Sequence, residues 1–414
     1  MARRLDGKII VVGLSGGIAC YKGAELVRLL VRAGATVRVM MSKGAQQFVT
    51  PLTLQTLSGH PVATDTFDLT QESEIGHIQL ADTADAIVIA PATANIIGKI
   101  AAGIADDLLT TVLLATRAPV LIAPSMNVNM YENPIVQTNL QRLRAAGFHI
   151  IDPGEGFLAC GWEGKGRLAE ADVILAEIER AVTPQDLRGE RVLVSAGPNR
   201  EPIDPVRFIS NRSTGKMGFA LAAAAWRRGA DVRLIAGPTT LPTPHGVGRR
   251  DVITAEEMHA AVLAECDAAT IVLMAAAVAD YRPVQTAPQK LKKGSGRLTL
   301  ELDRTVDILA DIAPRKGARL IVGFAAETQQ LIANAERKLI EKDLDLIVAN
   351  DVAAAATGFE VDTNAVTIID RSGHHESVPL LSKDEVADRI LDRVVALKQQ
   401  RSSVPRAATK ARSA

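Results

Sequence analysis

The chain has 414 residues, 47% hydrophobic and 23% charged, with 47 Lys+Arg against 47 Asp+Glu. That length exceeds one ordinary core and fits two domains, and the composition is that of a globular chain, not a disordered one. Zero formal net charge and only 3% aromatic residues argue against a nucleic-acid groove, an anionic membrane surface or a base-stacking platform.

The opening "MARRLDGKIIVVGLSGG" is positively charged, but its apolar run is too short for a signal peptide. "KIIVVGL" is a compact β-rich run. A Gly-rich turn follows, then "IACYKGAELVRLLVRAGA" with apolar residues at helical spacing, then a second strand, "TVRVMMS". "AIVIAPA" and "VLIAPSM" supply further strands. "LLTTVLLATRAPVLIAP" cannot span a bilayer because Arg117 and Pro119 interrupt it. "DPGEGFLACGWEGKGRL" is Gly-rich and too polar for a core. After the helix "AEADVILAEIERAV" comes "TPQDLRGE", which places a linker at 183–190 and ends a first domain at 1–182. The pattern then restarts: "RVLVSAGP" is a strand, "GKMGFALAAAAWRRGA" a helix and "DVRLIAGP" a strand, with "RRGADVRLI" echoing "RAGATVRVM". "TIVLMAAAVAD", "RLIVGFAAE" and "DLIVAND" continue a second domain over 191–398. The basic, aperiodic tail 399–414 is expected to be disordered.

The fold class is therefore α/β, with two domains that each carry a mostly parallel sheet. In such sheets ligands sit at the carboxyl ends of the strands. The cysteines are Cys20, Cys160 and Cys266; an odd count without a C-x-x-C pair suits a reducing cytoplasm. Cys20 and Cys266 fall in helical patterns and read as packing residues.

Two motifs nearly match known signatures. "GLSGG", Gly13 to Gly17, fits G-x-S-x-G, but too little chain precedes it to supply an oxyanion-hole loop. It is not G-x-G-x-x-G either, and the second strand ends in "MMS" without an acid for an NAD ribose. The hydroxyl of Ser42 there favours a mononucleotide such as FMN; the alternative is a plain tight turn before a helix. "SNRSTGKMG" has Ser210 where a Walker A loop needs Gly and Met217 where it needs Ser or Thr. Ser213, Thr214 and the amides of Gly215 and Lys216 form either an anion site at a helix N-terminus or a simple helix cap.

"GHIQLADTADAIVIAPATAN", "PSMNVNMYENP", "GFLACGWEGKGRL", "AGPNREPIDPVRFISNRSTGKMG", "AAAVADYRP" and "KLKKG" follow one another here as in a known family. Over roughly residues 6 to 395 the chain resembles the bacterial bifunctional enzymes of coenzyme A biosynthesis, in which a phosphopantothenoylcysteine decarboxylase is fused to a phosphopantothenate–cysteine ligase. The resemblance implies a flavodoxin-like or Rossmann-like flavoprotein domain followed by a Rossmann-like ligase domain. It further implies a homo-oligomer, with trimeric flavin domains and dimeric ligase domains closing into a dodecamer.

For the first domain, the resemblance implies FMN-dependent decarboxylation. His77 matches the catalytic base, Asn127 the residue that holds the substrate carboxylate, and Cys160 a proton donor on a Gly-rich flap. Gly16, Gly17, Ser42, Thr93 and Asn95 are the expected FMN contacts. Met126 and Met130 fit core packing equally well. Tyr131 stands where other flavin cysteine decarboxylases often carry Trp, and Gly16 where some relatives have Ser. For the second domain, it implies ligation through an acyl-cytidylate, with 4'-phosphopantothenate, cysteine and CTP as substrates and Mg2+ or Mn2+ as metal. Lys290 matches the essential lysine and Asn211 the residue that orients the acyl-cytidylate. Ala275, Ala276, Asp280, Val306, Asp307, Ile308, Leu309, Phe324, Lys338 and Lys342 match the nucleotide contacts, with Asp280 also the metal carboxylate. Two other classes compete: a non-catalytic flavin-fold binding protein, and a two-domain NAD-dependent dehydrogenase. The pairing of His77 with Cys160 argues against the first, and the missing glycine fingerprint against the second.

Overall fold

The computed structural model describes residues 3–66, 76–157, 161–293, 297–327, 330–351 and 361–403. The chain divides into two compact units, Met1–Pro184 and Gln185–Ala414.

In the first unit, β1 (Ile9–Leu14), β2 (Thr36–Met41), β3 (Val62–Ala63), β4 (Ala86–Ala92), β5 (Val120–Pro124) and β6 (His149–Ile150) pair in parallel, in the order β3-β2-β1-β4-β5-β6. This is the Rossmann order, not the flavodoxin order, and it reverses between β1 and β4. The helices are α1 (Cys20–Arg32), α2 (Pro51–Ser58), α3 (Gly76–Thr83), α4 (Ala94–Ala102), α5 (Leu108–Ala115), α6 (Val128–Glu132), α7 (Pro134–Ala145) and α8 (Ala171–Val182).

A parallel sheet covered on both faces needs strands apolar on both sides. In β1, Ile10, Val12 and Leu14 join Leu26, Val27 and Leu30 of α1 and Ile174 and Ile178 of α8 in one core. Val11 enters a second core with Ile96 and Ile97 of α4 and Leu109 and Val112 of α5. The helix α1 buries Gly23, Leu26, Val27 and Leu30, one stripe at helical spacing. The start of α5 is fixed by Asp107, whose carboxylate accepts the Thr110 N–H at 2.9 Å in a reciprocal capping box. Such a cap stabilises by about 1 kcal/mol. The Gly-rich stretch forms an antiparallel hairpin, β7 (Gly154–Phe157) with β8 (Glu163–Arg167).

In the second unit, the main sheet contains β9 (Arg191–Ala196), and the hairpin β10 (Arg200–Pro202) with β11 (Phe208–Ser210) lies outside it. Next come β12 (Asp231–Ala236), β13 (Gly248–Asp251) and β14 (Ile271–Met274), then a second side hairpin, β15 (Tyr281–Pro283) with β16 (Leu302–Arg304). The sheet is completed by β17 (Leu320–Glu327), β18 (Leu346–Asp351), β19 (Thr363–Asp370) and β20 (His375–Ser382). Its order is β13-β12-β9-β14-β17-β18-β19-β20, parallel up to β18 and antiparallel beyond. The helices are α9 (Lys216–Arg227), α10 (Ala255–Cys266), α11 (Ile308–Ile312), α12 (Leu331–Glu341) and α13 (Lys383–Ser403). Val194 and Val192 face the core of α9 and α13, and Leu193 the core of α10 and α12.

Three expectations change. The strand read from "TIVLMAAAVAD" stops at Met274, and the small residues after it form a loop. Residues 185–190 pack on the second unit instead of forming a bare linker. Leu187 is fully buried, its N–H bonds the Arg228 carbonyl at 3.0 Å, and Asp186 pairs with the Arg228 guanidinium at 2.6 Å. Residues 399–403 continue α13, where Arg401 pairs with Asp345 and Lys398 with Glu190. Residues 404–414 lie outside the described residues. Among the described residues no helix is long and apolar enough to cross a membrane.

Candidate functional site

Each unit carries a cavity where the strand order reverses. In the first, a space of about 1150 Å3 lies at the carboxyl ends of β1, β2, β4 and β5. Four loops close on it, and Ser15 stitches two of them. Ser15 is 3% exposed; its hydroxyl donates to the Pro91 carbonyl at 2.8 Å, bonds Thr93 Oγ1 at 3.1 Å and accepts the Thr93 N–H at 2.9 Å. Thr93 in turn caps α4. Next to Ser15, a Cβ on Gly16 would stand 2.8 Å from the Gly44 carbonyl carbon, so the β1 and β2 loops meet there backbone to backbone. A side chain at Gly16 would force the two loops to shift apart. The Ser42 hydroxyl is committed locally, accepting the Ala45 N–H at 3.2 Å.

All five expected FMN contacts, Gly16, Gly17, Ser42, Thr93 and Asn95, line this cavity, as does Asn127. Asn127 starts α6, and its Oδ1 accepts the Asn129 N–H at 2.8 Å. The adjacent Met126 N–H bonds the Gly166 carbonyl at 2.9 Å, fastening the β7–β8 hairpin to the cavity wall. Lys22 and Arg167 meet Glu170 at 3.2 and 2.9 Å, and Lys99 meets Asp106 at 2.7 Å. Bonding to Asp106 raises Lys99 above its ordinary range. Burial works against ionised Asp107, but the Thr110 amide and hydroxyl and Lys99 hold it below the usual carboxylate range. His77 is not among the lining residues. It lies in the first turn of α3, half-buried, and its buried Nδ1 has no partner among the described residues. Cys160 lies outside the described residues.

The second cavity, about 1000 Å3, gathers residues from widely separated segments. Asn211, Ala275, Ala276, Asp280, Val306, Asp307, Ile308, Leu309, Phe324, Lys338 and Lys342 all line it. The amide of Asn211 donates to the carbonyls of Ala277 (3.0 Å) and Val278 (3.2 Å), so its donors are spent on the loop after β14. Lys338 donates to the Phe324 carbonyl at 2.8 Å, and Lys342 pairs with Asp307. Burial opposes the Asp307 charge, yet Lys342 and the Ala310 N–H hold this carboxylate below its ordinary range. Gly215 begins α9 with φ +82 and has no side chain to cap it, while the Ser213 hydroxyl accepts the Gly215 N–H at 3.3 Å. Lys290 is the exception: it is exposed and outside the lining.

Several lining groups escaped the sequence reading. Ser15 stood inside the quoted "GLSGG". Lys216, of which only the amide was read in "SNRSTGKMG", pairs through its side chain with Asp362 at 2.6 Å and holds that carboxylate below its ordinary range. Lys383 has no local motif; it is 5% exposed and donates to the Val361 carbonyl at 2.6 Å. Burial, then the neighbouring Lys216 charge, push it down to about 8, with Asp362 opposing. Only tertiary packing brings it to the cavity. Among the described residues no cluster of three or more His, Cys, Asp or Glu is poised to hold a metal. Magnesium bound with a nucleotide needs only one or two carboxylates besides phosphates and water, and Asp280 fits that need.

Two Rossmann-ordered units, each with its own cavity, define a two-site α/β protein of the nucleotide-binding fold class. Residues 1–183 match the Flavoprotein family, and residues 187–397 the DNA/pantothenate metabolism flavoprotein C-terminal domain. The coenzyme A biosynthesis bifunctional protein CoaBC of Bacillus subtilis is 51% identical over 96% of this chain and 98% of its own length. That of Vibrio cholerae is 50% identical over 94% of this chain and 98% of its own. A crystal structure of the C-terminal domain of a CoaBC protein covers 52% of this chain and 99% of that one, at 40% identity and a TM-score of 0.46. The chain belongs to the family of coenzyme A biosynthesis bifunctional proteins, and it is accordingly an enzyme with ligase and decarboxylase activities. The two competing classes, a non-catalytic binding protein and a dehydrogenase, fall with that membership.

Proposed function

We propose that the second cavity joins cysteine to 4'-phosphopantothenate with CTP and Mg2+, and that the first decarboxylates the product with FMN to give 4'-phosphopantetheine. The carrying observation is the meeting in the second cavity of Asn211, the Ala275–Asp280 loop, Val306–Leu309, Phe324, Lys338 and Lys342.

In ligation, a carboxylate oxygen of phosphopantothenate attacks the α-phosphorus of CTP, and pyrophosphate leaves. The cysteine amine then attacks the acyl carbon, loses a proton, and CMP leaves. The α9 N-terminus with Lys216, Lys338 and Lys342 offers positive charge to the phosphates, and Asp280 the carboxylate for the metal. Lys290 stabilises charge as pyrophosphate departs. Because the Asn211 donors are spent on Ala277 and Val278, its Oδ1 is the atom offered to the second step, as an acceptor that aims the cysteine N–H at the acyl carbon.

In the first cavity, the Gly16–Gly44 approach, the Thr93-capped start of α4 and the hydroxyl of Ser15 form a small-residue cradle that fits a planar ring with one phosphate. When bound, FMN supplies the two-electron oxidation and re-reduction without which an N-acyl cysteine has no electron sink for its carboxylate. Asn127 holds that carboxylate, Cys160 returns a proton, and His77 takes one. His77 lies off its own chain's cavity, which supports a homo-oligomer in which a neighbouring copy supplies the imidazole. Trimeric flavin units and dimeric ligase units closing into a dodecamer in the cytoplasm complete the reading.

The test is incubation with phosphopantothenate, cysteine, CTP and Mg2+, with 4'-phosphopantetheine detected by mass. Product with ATP but not CTP refutes the nucleotide assignment. Ligation product that is never decarboxylated by flavin-loaded protein refutes the first-cavity assignment.

A further inference from the structure

The segment that carries Lys290 is fastened to a distant turn. Its first anchor is the Thr286 hydroxyl, which donates to the Pro202 carbonyl at 3.0 Å. The Ala287 N–H bonds the Ile203 carbonyl at 2.9 Å. One residue past Lys290, the Leu291 N–H bonds Asp204 Oδ2 at 3.1 Å, and the Leu291 carbonyl accepts from Arg207 Nη2 at 2.7 Å. Leu291 is thus held through both of its backbone groups, while Lys290, Lys292 and Lys293 are exposed.

Asp204 is built to hold. Its side chain is fully buried. Oδ1 accepts the N–H groups of Val206 (2.8 Å) and Arg207 (2.9 Å), and Oδ2 takes the Arg207 Nε (3.0 Å) and Nη2 (2.5 Å) as well as the Leu291 N–H. The Arg207 guanidinium, helped by these amides, holds the carboxylate well below its usual range, so it stays ionised. A turn-capping Asp needs only the local bonds to Val206 and Arg207. The bond to Leu291, 87 residues further along the chain, has no use in the turn.

We infer that Asp204 is a positioning residue of the ligase reaction: its buried carboxylate, with Arg207, clasps the backbone beside Lys290 and fixes the point from which that lysine swings. The clasp rests on the assignment of Lys290 above only for its catalytic consequence. A lysine side chain reaches far but has many rotamers, so the position of its Cα decides which phosphate oxygen it meets.

Trypsin reads the clasp without reference to activity, because cleavage after Lys290 requires the Lys290–Leu291 bond to leave its anchors. In the full-length protein, Asp204→Asn should speed cleavage at that bond by about tenfold or more relative to cleavage after Lys293. Where that variant does not fold, Arg207→Gln, which keeps the local amide bonds to Oδ1, gives the same readout. Pyrophosphate release should fall in Asp204→Asn, and that fall should vanish in a Lys290→Gln background, since a residue acting through Lys290 has nothing left to act on. Unchanged cleavage overturns the clasp. The same loss of pyrophosphate release with and without Lys290 overturns the positioning role. Normal ligation by Lys290→Gln alone refutes the assignment of that lysine instead, and leaves the clasp to the cleavage result.

Discussion

Replacing Lys383 by Met should change how the stability of the second unit depends on pH. Lys383 begins α13 at 5% exposure, and its ammonium is pushed from 10.5 down to about 8, mainly by burial. Folding therefore disfavours the charged form. Below pH 8 both the folded and unfolded chains carry the proton, and the full cost, about 3 kcal/mol, is present. Between pH 8 and 10.5 the unfolded chain keeps the proton and the folded one does not, so stability rises with pH; above 10.5 the contribution is flat. Between pH 7.5 and pH 10 the wild-type protein should gain about 2.4 kcal/mol relative to Lys383→Met. Urea unfolding followed by Trp226, in a Trp162→Phe background that silences the only other tryptophan, reads the second unit of the full-length chain. A difference between the two proteins that stays constant or shrinks over that range refutes the reasoning.

Gly16→Ala should abolish flavin retention, read as loss of yellow absorbance, while far-ultraviolet circular dichroism stays close to wild type, because the new Cβ meets the Gly44 backbone at 2.8 Å. Ser15→Ala removes the acceptor of a Thr93 N–H and a donor to Pro91, and should cost about 1–3 kcal/mol in urea unfolding of the first unit. Asn211→Asp sets a carboxylate against the carbonyls of Ala277 and Val278 where an amide donated; pyrophosphate release should persist while cysteine ligation falls by about 10²–10³, leaving the acyl-cytidylate detectable by mass.

Strand positions were legible wherever a buried parallel strand forces a continuous apolar run, as in "IIVVGL" and "RVLVSA". The pair β19–β20 was not, because one strand is only half-covered: "HESVPLLS" buries little besides Val378 and carries Pro379 at the sheet edge. Helix α13 hid its end in the same way, since Arg401 contributes an ion pair to Asp345 and no apolar periodicity. Around the cavities, Asn211 and Phe324 came through the family resemblance of the motifs that contain them, and both line the second cavity. Lys383 and the Asp204 clasp were not legible, because each gains its meaning from a partner in another segment. Lys290 shows the converse: its motif is legible, but its place on the exterior of the lining is a tertiary fact.

The same sheet order serves two different chemistries because it fixes only where loops converge. Order reversal between β1 and β4, and between β9 and β14, opens a crevice in either unit, and the loop residues decide what enters. In the first unit the convergent groups are small or neutral: Gly16, Gly17, Ser15, Ser42 and Thr93. The Lys22, Lys99 and Arg167 side chains nearby are matched by Glu170, Asp106 and Asp107, so little net charge remains for a ligand. A neutral ring with one phosphate suits that balance. In the second unit Arg212, Lys216, Arg304, Lys338, Lys342 and Lys383 line the cavity, against the carboxylates Asp280 and Asp307. Such an excess of cations suits a polyphosphate; at Lys383 burial is the main cause of the depressed ammonium and the Lys216 charge adds to it. A polyphosphate bound beside Lys216 should offset that neighbour's repulsion and raise the Lys383 ammonium partway, while the larger effect of burial stays.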